Sequence, residues 1–178
     1  MILLTATLLT CAPPISDSFI PAKQEICIEV EVKEEKPKKV WELSSPLPGK
    51  LTVTGDFGPR VPFMLPDGRM TLDFHFGTDF RAPEGTDLLS AVNGTVEFVG
   101  WDYSSYGGGW VLHIKGGKGD VYYLHMKDKS PLKVGDKVKQ GQKVGQTGST
   151  GASTAPHLHM EYHRNGKPVD PMKYLKQE

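Results

Sequence analysis

From Lys50 onward the chain alternates short apolar runs with glycine-rich turns. No segment keeps a helical period for more than about two turns. Strand character appears at residues 51–54, 87–91, 95–101, 110–115, 121–126, 144–147 and 158–163. Turn signals separate these runs: Pro66-Asp67-Gly68, Pro83-Glu84-Gly85, Asn93-Gly94, Gly107-Gly108-Gly109, Gly116-Gly117 and Asn165-Gly166. The stretch 134–142 reads as a tight loop feeding a strand. Regular strand spacing predicts a mainly β domain over residues 50–178, an antiparallel sheet sandwich or barrel. No repeat of solenoid period is present.

Residues 12–49 read as a tail or linker. Pro13, Pro14, Pro21, Pro37, Pro46 and Pro48 interrupt them, and the mixed-charge run 33–39 suits a solvated segment. Within this tail, residues 26–32 have strand character and suit a sheet edge. Residues 1–11 form an apolar stretch ending in Cys11 and resemble a short lipoprotein signal, although no Lys or Arg precedes it and Thr10 is unusual before such a cysteine. Cleavage near Ala12 and an uncleaved apolar tail are the other readings. The run is too short to span a bilayer, so membrane attachment would require lipid on Cys11.

Composition narrows the function classes. Lys+Arg and Asp+Glu are both 21, giving zero net charge, which removes any general electrostatic case for nucleic acid or an anionic membrane. The two cysteines, Cys11 and Cys27, lie outside the histidine-rich region. A cysteine-type zinc site and a disulfide framework are thereby disfavoured, with a Cys11–Cys27 bridge left open.

The chemistry concentrates in histidines. In His157-Leu158-His159-Met160-Glu161-Tyr162, alternation on a strand places His157, His159 and Glu161 on one face and Leu158, Met160 and Tyr162 on the other. Two imidazoles roughly 6–7 Å apart along the chain suit one metal ligand beside an acid/base, or two ligands. In His75-Phe76-Gly77-Thr78-Asp79 the pair would lie roughly 13 Å apart on a straight strand. A bend at Gly77 lets both reach one ion. Tyr123 and His125 are expected on one face of their strand. Together His75, Asp79 and His159 can supply two nitrogens and one oxygen and leave a fourth tetrahedral position open, which is the catalytic rather than the structural zinc arrangement. His125 and His157 then remain as non-ligand imidazoles able to move protons and stabilise an oxyanion.

With these residues in place, the chain resembles the lysostaphin-type, LytM-like (M23) zinc metalloendopeptidases. The resemblance runs from about Gly55 to Leu175. It rests on Phe57-Gly58-Pro59-Arg60, His75-Phe-Gly-Thr-Asp79, Pro83-Glu-Gly-Thr, Ala91-Val-Asn-Gly94 and Tyr123-Leu-His125. It continues through residues 134–142, Gly148-Ser-Thr-Gly151, Pro156-His157-Leu-His159-Met-Glu161 and Val169-Asp-Pro171. It implies a β fold with a groove floored by the sheet and walled by loops. It implies one Zn2+ on His75, Asp79 and His159, with His125 and His157 assisting the attacking water. The implied substrate is peptidoglycan, cut in its stem peptides or cross-bridges. The departures are Met126, Met160 and Ala155, and none removes a ligand. The loop 61–71 should form a groove wall and matches no single substrate class.

The remaining candidates have plainer readings. His113 is expected to point outward. His163 is expected at the surface rather than on a metal. Glu161 is either a partner orienting a histidine or an exposed carboxylate. Trp101, Tyr103, Tyr106 and Trp110 either line a groove or pack the sheet, with packing favoured for Trp110. Arg60 either holds a loop or is exposed. Two other functions compete: a non-catalytic peptidoglycan-binding or amidase-activating domain, whose relatives lack the ligands present here, and a metal-storage or phosphocarrier role, which His-x-His alone would permit. The expected setting is the cell envelope, periplasmic or extracellular, or a phage. The oligomeric state is not legible in the sequence.

Overall fold

The computed structural model describes residues 42–104 and 107–176. Cys11, Cys27, the strand-like stretch 26–32, most of the expected tail and Tyr106 lie outside the described residues. Among these residues twelve strands run in chain order. They are β1 (Val53–Gly55), β2 (Gly58–Pro59), β3 (Phe74–His75), β4 (Thr78–Arg81), β5 (Asp87–Leu89) and β6 (Gly94–Asp102), then β7 (Gly109–Gly116), β8 (Asp120–Met126), β9 (Lys137–Val138), β10 (Lys143–Gln146), β11 (His157–Arg164) and β12 (Lys167–Val169). A 3-10 turn (Pro171–Lys173) follows, capped by the Asp170 carboxylate, which accepts from the Met172 N–H.

The main sheet has eight strands in the order β1-β4-β11-β8-β7-β6-β9, with β12 paired to β11, and its pairings are antiparallel. Two ribbons, β5–β10 and β2–β3, complete it. The mainly β, antiparallel class expected from the turn spacing is what forms. The expected run of residues 87–91 ends at Leu89, because Ser90 N donates to the Gln142 carbonyl and Ala91 N to the Tyr123 hydroxyl.

Alternation sorts each central strand into two faces. Phe80, Leu112, Ile114, Val121, Tyr123, Leu158, Met160 and Tyr162 point to one side and form the core with Leu88 of β5 and Val144 of β10. Tyr123 is fully buried, and its hydroxyl is satisfied, accepting from Ala91 N at 2.7 Å and donating to the Leu89 carbonyl at 3.1 Å. Burial raises that phenol well above its usual range. Packing also reaches further toward the N-terminus than residue 50. Leu43 and Leu47 are buried in the same core, Leu43 bridges Leu175, and Ser44 N donates to the Ala91 carbonyl. Each fully buried aliphatic side chain of this kind contributes about 1.5–3 kcal/mol.

Candidate functional site

The opposite face of β4, β11 and β8 floors an open groove of about 210 Å³. One wall is the 60–72 hairpin, where Met64 bridges Met70 and Arg69 pairs with Asp67 at 2.6 Å. Arg60 holds this hairpin, donating from Nε to the Leu72 carbonyl at 3.2 Å. The other wall carries Ala152, Ser153 and Thr154. Trp101 and Trp110 pack edge to face at 5.4 Å, whereas Tyr103 is exposed.

Three side chains converge on one point of this floor. His75 ends β3, Asp79 lies on β4, and His159 on β11 stands directly opposite Asp79 in register. His75 Nε2 lies 3.0 Å from His159 Nδ1 and 3.2 Å from Asp79 Oδ1, and His159 Nδ1 lies 2.9 Å from the same oxygen. The other nitrogen of each ring is committed. His75 Nδ1 faces the Asp56 carbonyl at 2.7 Å, and His159 Nε2 faces the Glu161 carboxylate at 3.3 Å. Carbonyl and carboxylate oxygens only accept, so in the neutral rings those nitrogens carry the hydrogen and the facing nitrogens present lone pairs. Two lone pairs and a carboxylate aimed at one point fit a cation. Tetrahedral zinc with bonds of about 2.0–2.1 Å spaces its ligand atoms about 3.3 Å apart, close to the separations here.

The chain bends at Gly77 between β3 and β4, as expected, and His75 comes within 3.2 Å of Asp79. The φ of Gly77 is not in the left-handed region, and glycine is needed there for clearance as well. A Cβ there would stand 2.6 Å from both His159 Nε2 and the Met160 carbonyl oxygen. Gly55 is equally constrained, since a Cβ would stand 2.5 Å from Asp79 Oδ2.

His125 corrects an expectation. Tyr123 and His125 do not share a face: Tyr123 is in the core, while Leu124 and His125 both line the groove. The cause is an extra residue in β8. Trp110 pairs Met126 and Leu112 pairs Tyr123, so three steps on β8 oppose two on β7. His125 absorbs the bulge with φ of 57°, a conformation costly for a non-glycine residue. Its N–H donates to the Gly108 carbonyl at 2.8 Å and its Nδ1–H to the Thr150 carbonyl at 2.8 Å. Thr150 is itself fixed, its hydroxyl donating to the Met126 carbonyl and accepting from Trp110 N.

His157, at the start of β11, donates from Nδ1 to the Ala155 carbonyl at 2.7 Å. Its Nε2 lies 3.6 Å from Asp79 Oδ1, and its ring centroid is 5.1 Å from that of His125. The five histidine and aspartate side chains singled out in the sequence therefore line one groove. Sequence reasoning did not find the supporting carbonyls of Asp56, Thr150 and Ala155, because main-chain acceptors leave no residue-type signal. Glu161 is buried rather than exposed, and His163 bonds it at 2.6 Å. His113 is half-buried, stacked on Tyr122 at 4.1 Å, and lies away from the groove.

The electrostatics follow from this packing. Burial would raise the Asp79 carboxyl, but the His159 and then the His75 imidazole beside it outweigh burial and hold it well below the carboxylate range. Burial would lower His159, yet Asp79 and Glu161 raise it to about 9 in the metal-free chain. His125 is lowered to about 3, by burial first and then by repulsion from His159 and His157.

Three side chains on a β-sheet floor whose donor atoms could hold one metal ion, with two further imidazoles beside them, suit a peptidase, and residues 73–171 match the family described as Peptidase family M23. The chain belongs to that family. Among curated relatives, the peptidoglycan DD-endopeptidase ShyA of Vibrio cholerae is 36% identical over 128 residues, covering 72% of this chain and 28% of ShyA. The solved catalytic domain of lysostaphin from Staphylococcus simulans is 36% identical, covers 68% of this chain and 90% of that domain, and superposes with a TM-score of 0.58. A zinc-containing peptidase from Vibrio cholerae is 34% identical over 75% of this chain and 39% of its own, with a TM-score of 0.60. The chain spans between 20% and 29% of the length of several of the curated relatives it matches.

Proposed function

We propose that this chain is a zinc-dependent endopeptidase that hydrolyses peptide bonds in peptidoglycan, in stem peptides or cross-bridges. The observation that carries the reading is the convergence of His75 Nε2, Asp79 Oδ1 and His159 Nδ1 at 2.9–3.2 Å, with partners on the outer ring nitrogens that turn a lone pair inward once each ring is neutral. Zinc bound there would supply Lewis-acid polarisation of a carbonyl and acidify a water at its open position.

The chain's own residues do the rest. His125 and His157 have their Nδ1–H groups engaged by main-chain carbonyls, so each offers Nε2 as an acceptor. His125 is neutral at pH 7 and can accept a hydrogen bond from the attacking water. A ring that has taken a proton becomes an N–H donor, first to the developing oxyanion and then to the leaving amine. Asp79 stays ionised throughout, and the groove walls hold an extended peptide across the floor.

The catalytic unit of this proposal is residues 50–178 with the packed Leu43 and Leu47. With that substrate its work lies at the cell wall, in a periplasmic or extracellular setting or in the service of a phage. The names of ShyA and lysostaphin's catalytic domain point to the same chemistry. The test is digestion of defined muropeptides followed by mass spectrometry of the fragments. New amine termini that vanish with chelator and return with zinc are expected. Binding to peptidoglycan with no product release would favour the non-catalytic alternative.

A further inference from the structure

Past His159, the same face of β11 continues with Glu161 and then His163. Glu161 is 7% exposed, a nearly buried carboxylate between two imidazoles. Its Oε1 lies 3.3 Å from His159 Nε2 and its Oε2 lies 2.6 Å from His163 Nε2. The second distance is short for a nitrogen donor, in the range of charge-assisted bonds. A buried carboxylate is costly unless matched on its oxygens, and here the stronger match comes from the outer histidine. The side chain of His163 is 20% exposed. Its ring lies 4.6 Å from Tyr122, which stacks on His113 at 4.1 Å and 9°. The outer end of the line is thus anchored on β8 and β7, away from the groove.

We infer that Glu161 and His163 are positioning residues of the metal centre, His163 fixing the Glu161 carboxylate so that it holds His159 with Nδ1 turned to the metal. The inference rests on the reading of His159 as a ligand. Strand spacing supplies it: residues two apart share a face, so a ligand, its orienting carboxylate and the group that orients the carboxylate follow in series. Glu161 lies on the far side of the His159 ring from the converging donors and acts only through that ring. His163 acts only through Glu161.

The test uses the full chain stripped of metal, with zinc affinity read by competition against a chromophoric chelator and ligand geometry read from the Co2+ absorption bands. Glu161→Gln is expected to weaken zinc binding about 10–100-fold, and His163→Ala about 10-fold. The double variant should bind no more weakly than Glu161→Gln alone, because the outer residue works through the inner one. His163→Gln, whose amide can still donate to Oε2, should recover most of the loss. Metal-free His163→Ala should melt lower, because its buried carboxylate loses a partner, so affinities are compared at a temperature where every variant is folded. Wild-type affinity in His163→Ala, or losses that simply add in the double variant, would overturn the inference. A wild-type chain that binds no zinc would instead overturn the metal-centre reading beneath it.

Discussion

Replacing Gly77 by alanine tests whether the site is built by clearance. The added methyl would sit 2.6 Å from the Met160 carbonyl oxygen and 2.6 Å from His159 Nε2, against a comfortable carbon contact of about 3.5 Å. Roughly 0.9 Å must be found from somewhere. The Met160 backbone cannot give easily, because Met160 pairs Thr78 on one side and Tyr123 on the other. The displacement therefore falls on the His159 ring and its bond to Glu161. Overpacking of this kind costs about 1–3 kcal/mol, and a displaced ligand ring should lower zinc affinity at least about 10-fold. Urea unfolding of the metal-free and zinc-loaded variant measures the first, and chelator competition the second. Gly117→Ala is the control, since a Cβ there meets nothing within 4 Å. A Gly77→Ala protein within about 0.5 kcal/mol of wild type, with unchanged zinc affinity, would refute the reasoning.

His159, raised to about 9 without metal, is protonated at pH 7.5 and must release that proton to bind zinc. Calorimetry in buffers of different ionisation heat should show up to about two protons released per zinc near pH 7.5, one from His159 and one from the acidified water, falling to about one above pH 10. The metal-free protein should be most stable near pH 6–7. The raised His159 contributes stability below 6.5 that is lost as pH rises through about 9. The lowered His125 makes stability fall as pH drops from 6.5 toward about 3, and the depressed Asp79 adds to that fall below 3.8. Melting curves in chelator check this window, and a flat profile between pH 6 and 10 would contradict it. His125→Asn keeps a residue that tolerates positive φ, so it should fold with near wild-type stability while losing about 10²–10⁴-fold in turnover.

The fold class was legible because turns and two-residue alternation recur wherever strands face a core on one side only. Long strands such as β7, β8 and β11 announce themselves through Leu112, Ile114, Tyr123, Leu158 and Met160. Strands β2, β3, β4, β9 and β12 did not, being two to four residues long. Strand β4 (Thr-Asp-Phe-Arg) looks polar because its outward position carries Asp79. The same effect hid the bulge at His125: alternation assigns it the face of Tyr123, and only the extra residue in pairing turns it to the groove. Residue type and spacing marked the five chemical side chains. The carbonyls of Asp56, Thr150 and Ala155 that fix their tautomers come from chain path alone, which residue identity does not encode.

The most direct measurement pairs bound-metal content with hydrolysis in two variants of the full chain. His75→Ala should lose both zinc and peptide hydrolysis, whereas His125→Ala should keep about one zinc per chain and lose most turnover. Full zinc occupancy in His75→Ala, or undiminished turnover in His125→Ala, would contradict the division of these side chains into metal-holding and proton-handling groups.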